Sequence, residues 1–118
     1  MTVLKRGMIV EVNLDPSLGS ETGKTRPCVI VTNDVYNERV SVIQVVPITA
    51  WSAKKAQVVT NIEIHPSKDN CLSKKSIADC LQTRPIDRRR RLVGIRGKLS
   101  AAKLEEIDHA LRIVFELN

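Results

Sequence analysis

Pro27-Cys28-Val29-Ile30-Val31-Thr32 decides the fold class, because this run of apolar and β-branched residues is typical of a central strand. Proline cannot donate to a strand ladder, so Pro27 is expected at the first position of the strand or at an edge. Residues 15–25 come before it and include Gly19 and Gly23 among polar side chains, which predicts a long loop. The stretch therefore predicts a β-protein in which a polar loop leads into a central strand.

Further strands are predicted on both sides of this run. Residues 8–14 place apolar side chains at every second position, which indicates a half-buried strand. Residues 33–38 have the composition of a turn. The remaining predicted strands are residues 40–46 (closed by Pro47), 58–64, 76–81 and 92–95.

The C-terminal segment has a different periodicity. Apolar residues recur at helical spacing from Leu104 to Val114, with charged residues on the remaining surface. This pattern predicts an amphipathic helix of about four turns, and Ser100 is its expected N-cap. Five or six short strands followed by one helix predict a small barrel or a strongly twisted sheet with the helix packed on it.

Composition limits the possible functions without selecting one. The chain has 118 residues, 42% hydrophobic and 27% charged, which predicts a single globular domain over residues 1–118. The first seven residues carry no targeting pattern, and no run approaches the roughly 18 apolar residues of a membrane helix, so a cytoplasmic protein is expected. The net charge of +6 suits a polyanion. Nucleic acid, an acidic protein and an anionic membrane all remain open.

The sequence offers no metal or cofactor motif. Walker loops, GxGxxG, GxSxG and HExxH are absent, and His65 and His109 each lack a second ligand at metal-binding spacing. The three cysteines form no CxxC pair. Cys28 lies in the apolar run and is expected to be a small buried hydrophobe. We therefore expect neither a metal nor a cofactor.

Three places could carry chemistry. The glycine-flanked loop delivers Arg26 to the start of a strand, where its planar donors either bind phosphate or pair with a surface carboxylate. Thr49 follows Pro47 at the end of another strand and either bonds its own turn or serves a site. Gln82-Thr83-Arg84 precedes the four arginines 88–91, which form either a solvated loop or a set of phosphate contacts.

Together, these places resemble the MazF/PemK family of toxin endoribonucleases in type II toxin–antitoxin systems. The matching motifs occur in family order and span about residues 5–115. They are Lys5-Arg6-Gly7, Gly19-Ser20-Glu21 with Gly23 and Arg26-Pro27, Pro47-Ile48-Thr49, and Gln82-x-Arg84-x-Ile86-Asp87.

The resemblance implies a fold, an activity and partners. The implied fold is mainly β with a C-terminal helix, an SH3-like β-barrel of the CcdB/MazF type, usually as a homodimer. The implied activity is sequence-specific, metal-independent cleavage of single-stranded RNA, often mRNA, to 2′,3′-cyclic phosphate and 5′-hydroxyl ends. The implied protein partner is a cognate antitoxin whose acidic, flexible tail occupies the RNA groove.

The resemblance also assigns residues. Arg26 and Thr49 are the implied catalytic pair, and Glu21 either orients Arg26 or acts as a base. Trp51 either stacks on a splayed base or fills the core. Leu81 stands where relatives often carry an acidic residue, and Asp79 is the nearest carboxylate that could compensate. The implied RNA-binding residues are Gly19, Ser20, Lys24, Lys54, Lys55, Gln82 and Arg84. Lys54 and Lys55 lie in a connection that matches no fixed pattern, and they either contact phosphate or serve only solubility.

Two other functions remain as alternatives. CcdB-like toxins share the implied fold but bind gyrase without nuclease activity, and their contacts lie on a C-terminal helix that ends in Trp-Gly-Ile. This chain carries the Arg-Pro and Pro-x-Thr motifs and ends Phe115-Glu116-Leu117-Asn118. A nucleic-acid-binding barrel without catalysis is the other alternative.

Overall fold

The computed structural model describes residues 3–118, which form seven strands and four α-helices. Met1 and Thr2, which belong to the predicted domain and to the segment tested for a targeting pattern, lie outside the described residues. In chain order the elements are β1 Met8–Asn13, β2 Thr25–Ile30, α1 Asp34–Arg39, β3 Val42–Ala50, α2 Ala53–Ala56, β4 Asn61–Ile64, β5 Ser76–Asp79, a 3₁₀ turn Cys80–Gln82, β6 Arg84–Asp87, α3 Arg88–Arg91, β7 Leu92–Lys98 and α4 Ala101–Phe115.

The strands form one antiparallel sheet in the order β4-β5-β3-β2-β1-β7, with β6 also paired to β3. β3 changes partner along one edge. Its first half, Val42–Val45, pairs with β6, and its last three residues, Ile48–Ala50, pair with β5. Pro47 lies between these two pairings, where β3 needs no partner on that edge, so a proline does not end the strand as the sequence had suggested.

The sheet separates two hydrophobic cores. β1 contributes to both, because Ile9 packs with Val29 and Val46 on one face, while Val10 and Val12 pack on the other. The first core also holds Ile107 of α4. The predicted alternation of β1 is confirmed for Val10, Val12 and Leu14, which are fully buried, but Ile9 on the opposite face is fully buried as well.

The C-terminal helix confirms the periodicity read from the sequence. Ser100 is the N-cap, and its hydroxyl accepts from the backbone N–H of Lys103 at 3.2 Å. The buried residues of α4 are Ile107 and Ala110. Arg6, in the segment before β1, forms a salt bridge with Asp108 and ties this helix to the start of the domain. No helix in the described part of the chain is long and apolar enough to cross a membrane.

Several segments differ from the sequence expectations. Pro27 is the third residue of β2, a central strand, and the predicted strand 58–64 is a strand only at Asn61–Ile64. Residues 34–39 form α1 rather than a turn, capped by the side chain of Asn33, which accepts from Val35 N–H. Residues 84–87 form β6, which the sequence did not indicate. The arginine run forms α3, where Arg88 donates to the carbonyl of Asn37 at 2.6 Å. Backbone carbonyls thus bind part of a run that had read as a solvated loop or a set of phosphate contacts.

Candidate active site

Strand register brings Arg26 and Thr49 to the same place. β2 and β3 pair antiparallel as far as Cys28 opposite Pro47, and Arg26 and Thr49 each lie two residues beyond that last pair. A step of two residues keeps a side chain on the same face of a strand. Both line a cavity of about 180 Å³ at the end of the two strands. The two residues implied as a catalytic pair therefore share one concave site.

The Nε of Arg26 is hydrogen-bonded within the protein, whereas its two terminal nitrogens remain available to a ligand. Its Nε donates to the carbonyl of Gly23 at 2.9 Å. Within residues 3–118 neither terminal nitrogen of Arg26 makes a hydrogen bond, and the side chain is only partly buried. A guanidinium fixed in this way presents two donors to an anion, and such a planar pair matches phosphate oxygens.

The loop that presents Arg26 has a tightly determined shape. A Cβ on Gly23 would lie 2.3 Å from Ser17 Oγ and 2.6 Å from Asp15 Oδ1, so these two side chains would have to move to admit a larger residue. Asp15 Oδ1 also accepts from the backbone N–H of Lys24, at 2.8 Å. The implied RNA-binding residue Lys24 is exposed and has a positive φ of 67°. The loop therefore positions Arg26 through its backbone.

Thr49 has a cationic neighbour. The ammonium of Lys55, on α2, donates to Thr49 Oγ1 and to the carbonyl oxygen of Ala50, each at 3.2 Å. Lys54 precedes it on the same short helix and is exposed. Of the two lysines implied in RNA binding, only Lys55 directly contacts a residue of the implied catalytic pair.

Glu21 lies in a different place from this pair. It lines a neighbouring cavity of about 350 Å³ with Leu81, Gln82 and Arg84, and its carboxylate accepts from the backbone N–H of Leu18 at 2.9 Å. Glu21 is thus not among the residues that surround Arg26 and Thr49.

Gln82 and Arg84 both contact backbone. Gln82 Nε2 donates to the carbonyl of Ser20, and its Oε1 accepts from Thr22 N–H, each at 3.2 Å. Arg84 donates to the carbonyl of Leu14 at 3.1 Å. These two side chains hold the loop that carries Arg26 against the body of the protein. Gly19 and Ser20, also implied in RNA binding, are exposed on that loop.

The sequence did not indicate one wall of the cavity that Arg26 and Thr49 share. Arg96 on β7, together with Ser73 and Lys74 from the connection before β5, lines the same cavity as Arg26 and Thr49. Arg96 pairs with the carboxylate of Glu11 and donates to the carbonyl of Cys71 at 2.9 Å. The single usable signal was an arginine among small and apolar residues of a strand, Gly94-Ile95-Arg96-Gly97.

Asp79 lies at the end of β5, beside the N-terminus of the 3₁₀ turn. Burial raises the pKa of its carboxyl above the ordinary value, while the backbone N–H groups of Gln82 and Leu81 and the charge of Lys55 act in the opposite direction. Leu81, where relatives often have an acid, is exposed. The Asp79 carboxyl therefore lies close enough to Lys55 to interact with it electrostatically.

Trp51, which was expected either to stack on an RNA base or to fill the core, is only half-buried. Its ring lies outside both cores, and the Lys75 ammonium lies 4.0 Å from the ring centroid. Lys75 also forms a 2.8 Å ion pair with Glu63, which lowers the pKa of that carboxyl. One face of Trp51 is thus covered by a cation.

The cysteines and histidines do not form a second reactive centre in the described chain. Cys28 is fully buried, as expected, and burial raises the pKa of its thiol to about 12, as it does for Cys80. A protonated, buried thiol is a poor nucleophile. Residues 3–118 contain no group of three His, Cys, Asp or Glu side chains arranged to hold a metal ion.

Comparisons with known proteins identify the family of this chain. Residues 5–115 match the family described as "PemK-like, MazF-like toxin of type II toxin-antitoxin system". The chain is 35% identical over 126 aligned positions to Endoribonuclease MazF9 of Mycobacterium tuberculosis, and the match covers 98% of each protein.

Solved structures share the fold. MazF from Deinococcus radiodurans superposes with a TM-score of 0.82 at 20% identity, covering 99% of this chain and all of that one. The Mycobacterium tuberculosis toxin MazF-mt6 gives 0.76 at 24% identity, covering 94% of this chain and 98% of that one. A MazE-MazF complex from Deinococcus radiodurans contains a chain that matches at 0.74, with 18% identity and full coverage of both chains. The fold class expected from the sequence is confirmed, and this chain belongs to the PemK-like, MazF-like toxins of type II toxin–antitoxin systems, the family of Endoribonuclease MazF9.

Proposed function

We propose that this endoribonuclease cleaves single-stranded RNA, including mRNA, at a specific sequence and without a metal ion. The observation that carries the proposal is the shared cavity of Arg26 and Thr49, which also contains Lys74 and Arg96. A cavity lined by Arg26 and Lys74, two cationic residues without a salt bridge among the described residues, and by several hydroxyl residues suits a phosphodiester. Guanidinium and hydroxyl donors also supply the electrostatic stabilisation that a metal would otherwise give.

In the proposed reaction the ribose 2′-oxygen attacks the adjacent phosphorus. The 2′-O–P bond forms and the P–O5′ bond breaks, which leaves a 2′,3′-cyclic phosphate and a 5′-hydroxyl. A base removes the 2′ proton and an acid protonates the 5′-oxygen. Arg26 stabilises the charge that builds on the phosphoryl oxygens, and Thr49 holds one of those oxygens. Asp79 and Glu21 are the candidate carboxylates for proton transfer.

The proposed partners follow from the relatives and the charge. Endoribonuclease and antitoxin form a complex in a solved structure from mycobacterial species, in which the endoribonuclease chain matches with a TM-score of 0.75 at 18% identity. We propose that a cognate antitoxin with an acidic segment covers the cationic cavity of this chain, whose net charge is +6. We also propose a homodimer in the cytoplasm, with RNA bound in a groove shared by both subunits. Activity per subunit should then fall on dilution below the dimer dissociation constant.

The test is cleavage of a long single-stranded RNA by the purified chain in excess EDTA, with the ends mapped. We expect cuts at one short repeated sequence, with cyclic phosphate and 5′-hydroxyl termini. Arg26→Ala should lower the rate by about 10²–10³-fold, the range for losing one transition-state donor. Arg112→Ala, an exposed arginine on α4, is the matched control and should cut like the wild type.

Two results would contradict the proposal. A requirement for a divalent cation would exclude the metal-free mechanism. Intact RNA together with inhibited gyrase would support the CcdB-like alternative, which the family match and the structural neighbours do not favour.

A further inference from the structure

We propose that Lys55 is a positioning residue that fixes the Thr49 hydroxyl as a hydrogen-bond donor toward the RNA phosphate. The inference rests on the proposed function, because it assigns a task to a lysine within the same site. It goes further than a phosphate contact by Lys55, since it gives the lysine an effect on the chemical step through Thr49.

The first argument concerns which group donates and which accepts in the hydrogen bond between Lys55 and Thr49. Lys55 Nζ lies 3.2 Å from Thr49 Oγ1. A lysine ammonium has three donors and no acceptor, whereas a threonine hydroxyl has one donor and two acceptor lone pairs. Thr49 Oγ1 must therefore accept in this contact. Its single proton points elsewhere and remains available for a phosphate oxygen.

The second argument is that Lys55 is held at both ends of its side chain. Its backbone N–H donates to Ser52 Oγ at 3.1 Å, and its carbonyl accepts from Asn61 Nδ2 at 3.0 Å. Its ammonium also donates to the carbonyl of Ala50 at 3.2 Å. A lysine fixed at its backbone and at its ammonium loses less freedom on binding RNA than a free surface lysine does.

The third argument is electrostatic. The Asp79 carboxylate lies close enough to Lys55 for the two charges to interact. A positive charge beside Thr49 Oγ1 polarises the O–H bond and strengthens the hydrogen bond that this hydroxyl donates. Lys54, one residue earlier on α2, has no bond to Thr49 and serves as the natural comparison.

The kinetic test compares lysine-to-methionine variants on a short RNA that contains the cleavage sequence. Lys55→Met should lower kcat by about ten- to a hundredfold, the scale for one hydrogen bond to a charged group, with a smaller change in KM. Lys55→Arg, which keeps charged donors, should recover part of that loss. Lys54→Met should act mainly on KM. Lys68→Met, an exposed lysine outside the site, should change neither constant.

A double-mutant cycle separates positioning from direct contact. Coupled residues show non-additive effects, so Lys55→Met should have little further effect on kcat in a Thr49→Ala background and its full effect in a Thr49→Ser background. If Lys55→Met lowers kcat by the same factor with and without the threonine hydroxyl, Lys55 acts on RNA directly and the proposal is overturned. Thermal unfolding of each variant identifies losses that come from misfolding.

A readout without substrate keeps the test independent of the proposed function. In a ¹⁵N-edited spectrum of lysine ammonium groups, we expect a Lys55 signal protected from exchange in the wild type and lost in Thr49→Val. Equal exchange of Lys55 and Lys54 in the wild type would overturn the proposal. Absence of RNA cleavage by a wild type that keeps the protected signal would instead count against the proposed function.

Discussion

Arg26 and Arg96 line the same cavity, but they differ in how much uncompensated positive charge they present to an anion. Arg26 is bound through Nε by a neutral carbonyl and keeps its full charge. Arg96 is already paired with the Glu11 carboxylate and with the carbonyl of Cys71. Its net charge in the cavity is therefore largely cancelled. The difference supports Arg26 as the residue that stabilises the transition state, with Arg96 as part of the wall.

The raised pKa of Asp79 predicts how the stability of the folded chain depends on pH. Burial raises the pKa of its carboxyl in the folded chain above the ordinary 3.8. The folded state thus binds the proton more tightly than the unfolded state does, and stability falls as pH rises from 3.8 through the folded pKa. At pH 7 the ionised carboxyl of Asp79 therefore makes the folded state less stable than a protonated carboxyl would.

We therefore expect Asp79→Asn to raise the urea midpoint at pH 7 and to lose this advantage as the pH falls below 3.8. Urea unfolding followed by circular dichroism across that range measures it. Asp69→Asn, in an exposed loop, is the matched control. A lower midpoint for Asp79→Asn at pH 7 would show that the contacts of Asp79 with Lys55 and the nearby N–H groups outweigh the burial of its charge.

At the scale of elements, the connection from β4 to β5 completes the site by packing on β7. Gly97 makes this packing possible, because a Cβ there would lie 2.3 Å from the carbonyl oxygen of Asp69. The backbone N–H of Lys98 donates to the same oxygen at 3.0 Å. The contact covers part of an edge strand and places Leu72, Ser73 and Lys74 in the cavity wall.

Gly97→Ala should therefore destabilise the domain by about 1–3 kcal/mol, the cost of overpacking a tight contact, and should also reduce RNA cleavage. Gly94→Ala on the same strand is the control, since no atom lies within 4 Å of its added Cβ. Urea unfolding and the cleavage assay measure the two effects. Equal stability of both variants would show that the loop does not depend on this close approach.

Local patterns predicted some elements of this fold and could not predict others. α4 follows from the spacing of its apolar residues and from Ser100, which are local signals. β6 did not follow, because Arg84-Pro85-Ile86-Asp87 has only one buried residue and becomes a strand by pairing with β3. Pro47 suggested a strand end because nothing local reveals that β3 changes partners there.

The same distinction holds for the site. Arg26 and Thr49 were predicted through short motifs that lie within single segments. The sequence could not predict the other cavity residues, Ser73, Lys74 and Arg96. They come together only because a loop packs on β7, which is a contact between residues distant in sequence. Glu21 was implied as a catalytic residue by its motif, and its carboxylate accepts from the backbone N–H of Leu18 and lines the neighbouring cavity.

At the scale of the whole molecule, the charge of +6 is relevant to RNA binding only where it is concentrated. Four cations in the cavity or on α2 form no salt bridge within residues 3–118: Arg26 and Lys74 in the cavity, and Lys54 and Lys55 on α2. Four neutralised phosphates predict a slope of about −3 for the logarithm of affinity against the logarithm of salt concentration on a single strand.

Binding to an uncleavable 2′-O-methyl oligonucleotide, followed by fluorescence anisotropy at several salt concentrations, measures this slope. Lys74→Gln should make the slope shallower by about 0.7, the contribution of one phosphate contact. Lys68→Gln should leave it unchanged. A slope unaffected by Lys74→Gln would place Lys74 outside the path of the RNA.

The antiparallel pairing of β2 and β3, which leaves Arg26 and Thr49 two residues beyond its last pair, has a consequence for how this chain tolerates changes of length. Residues 33–41 join the two strands, and an insertion there adds chain outside the ladder, so both residues keep their places beside the cavity. One residue inserted between Arg26 and Cys28 turns the guanidinium to the opposite side of the sheet. Such a protein can remain folded and still be inert as a toxin. Among variants that differ in length, harmless ones should thus cluster in the joining segment and inactivating ones within a few residues of the arginine.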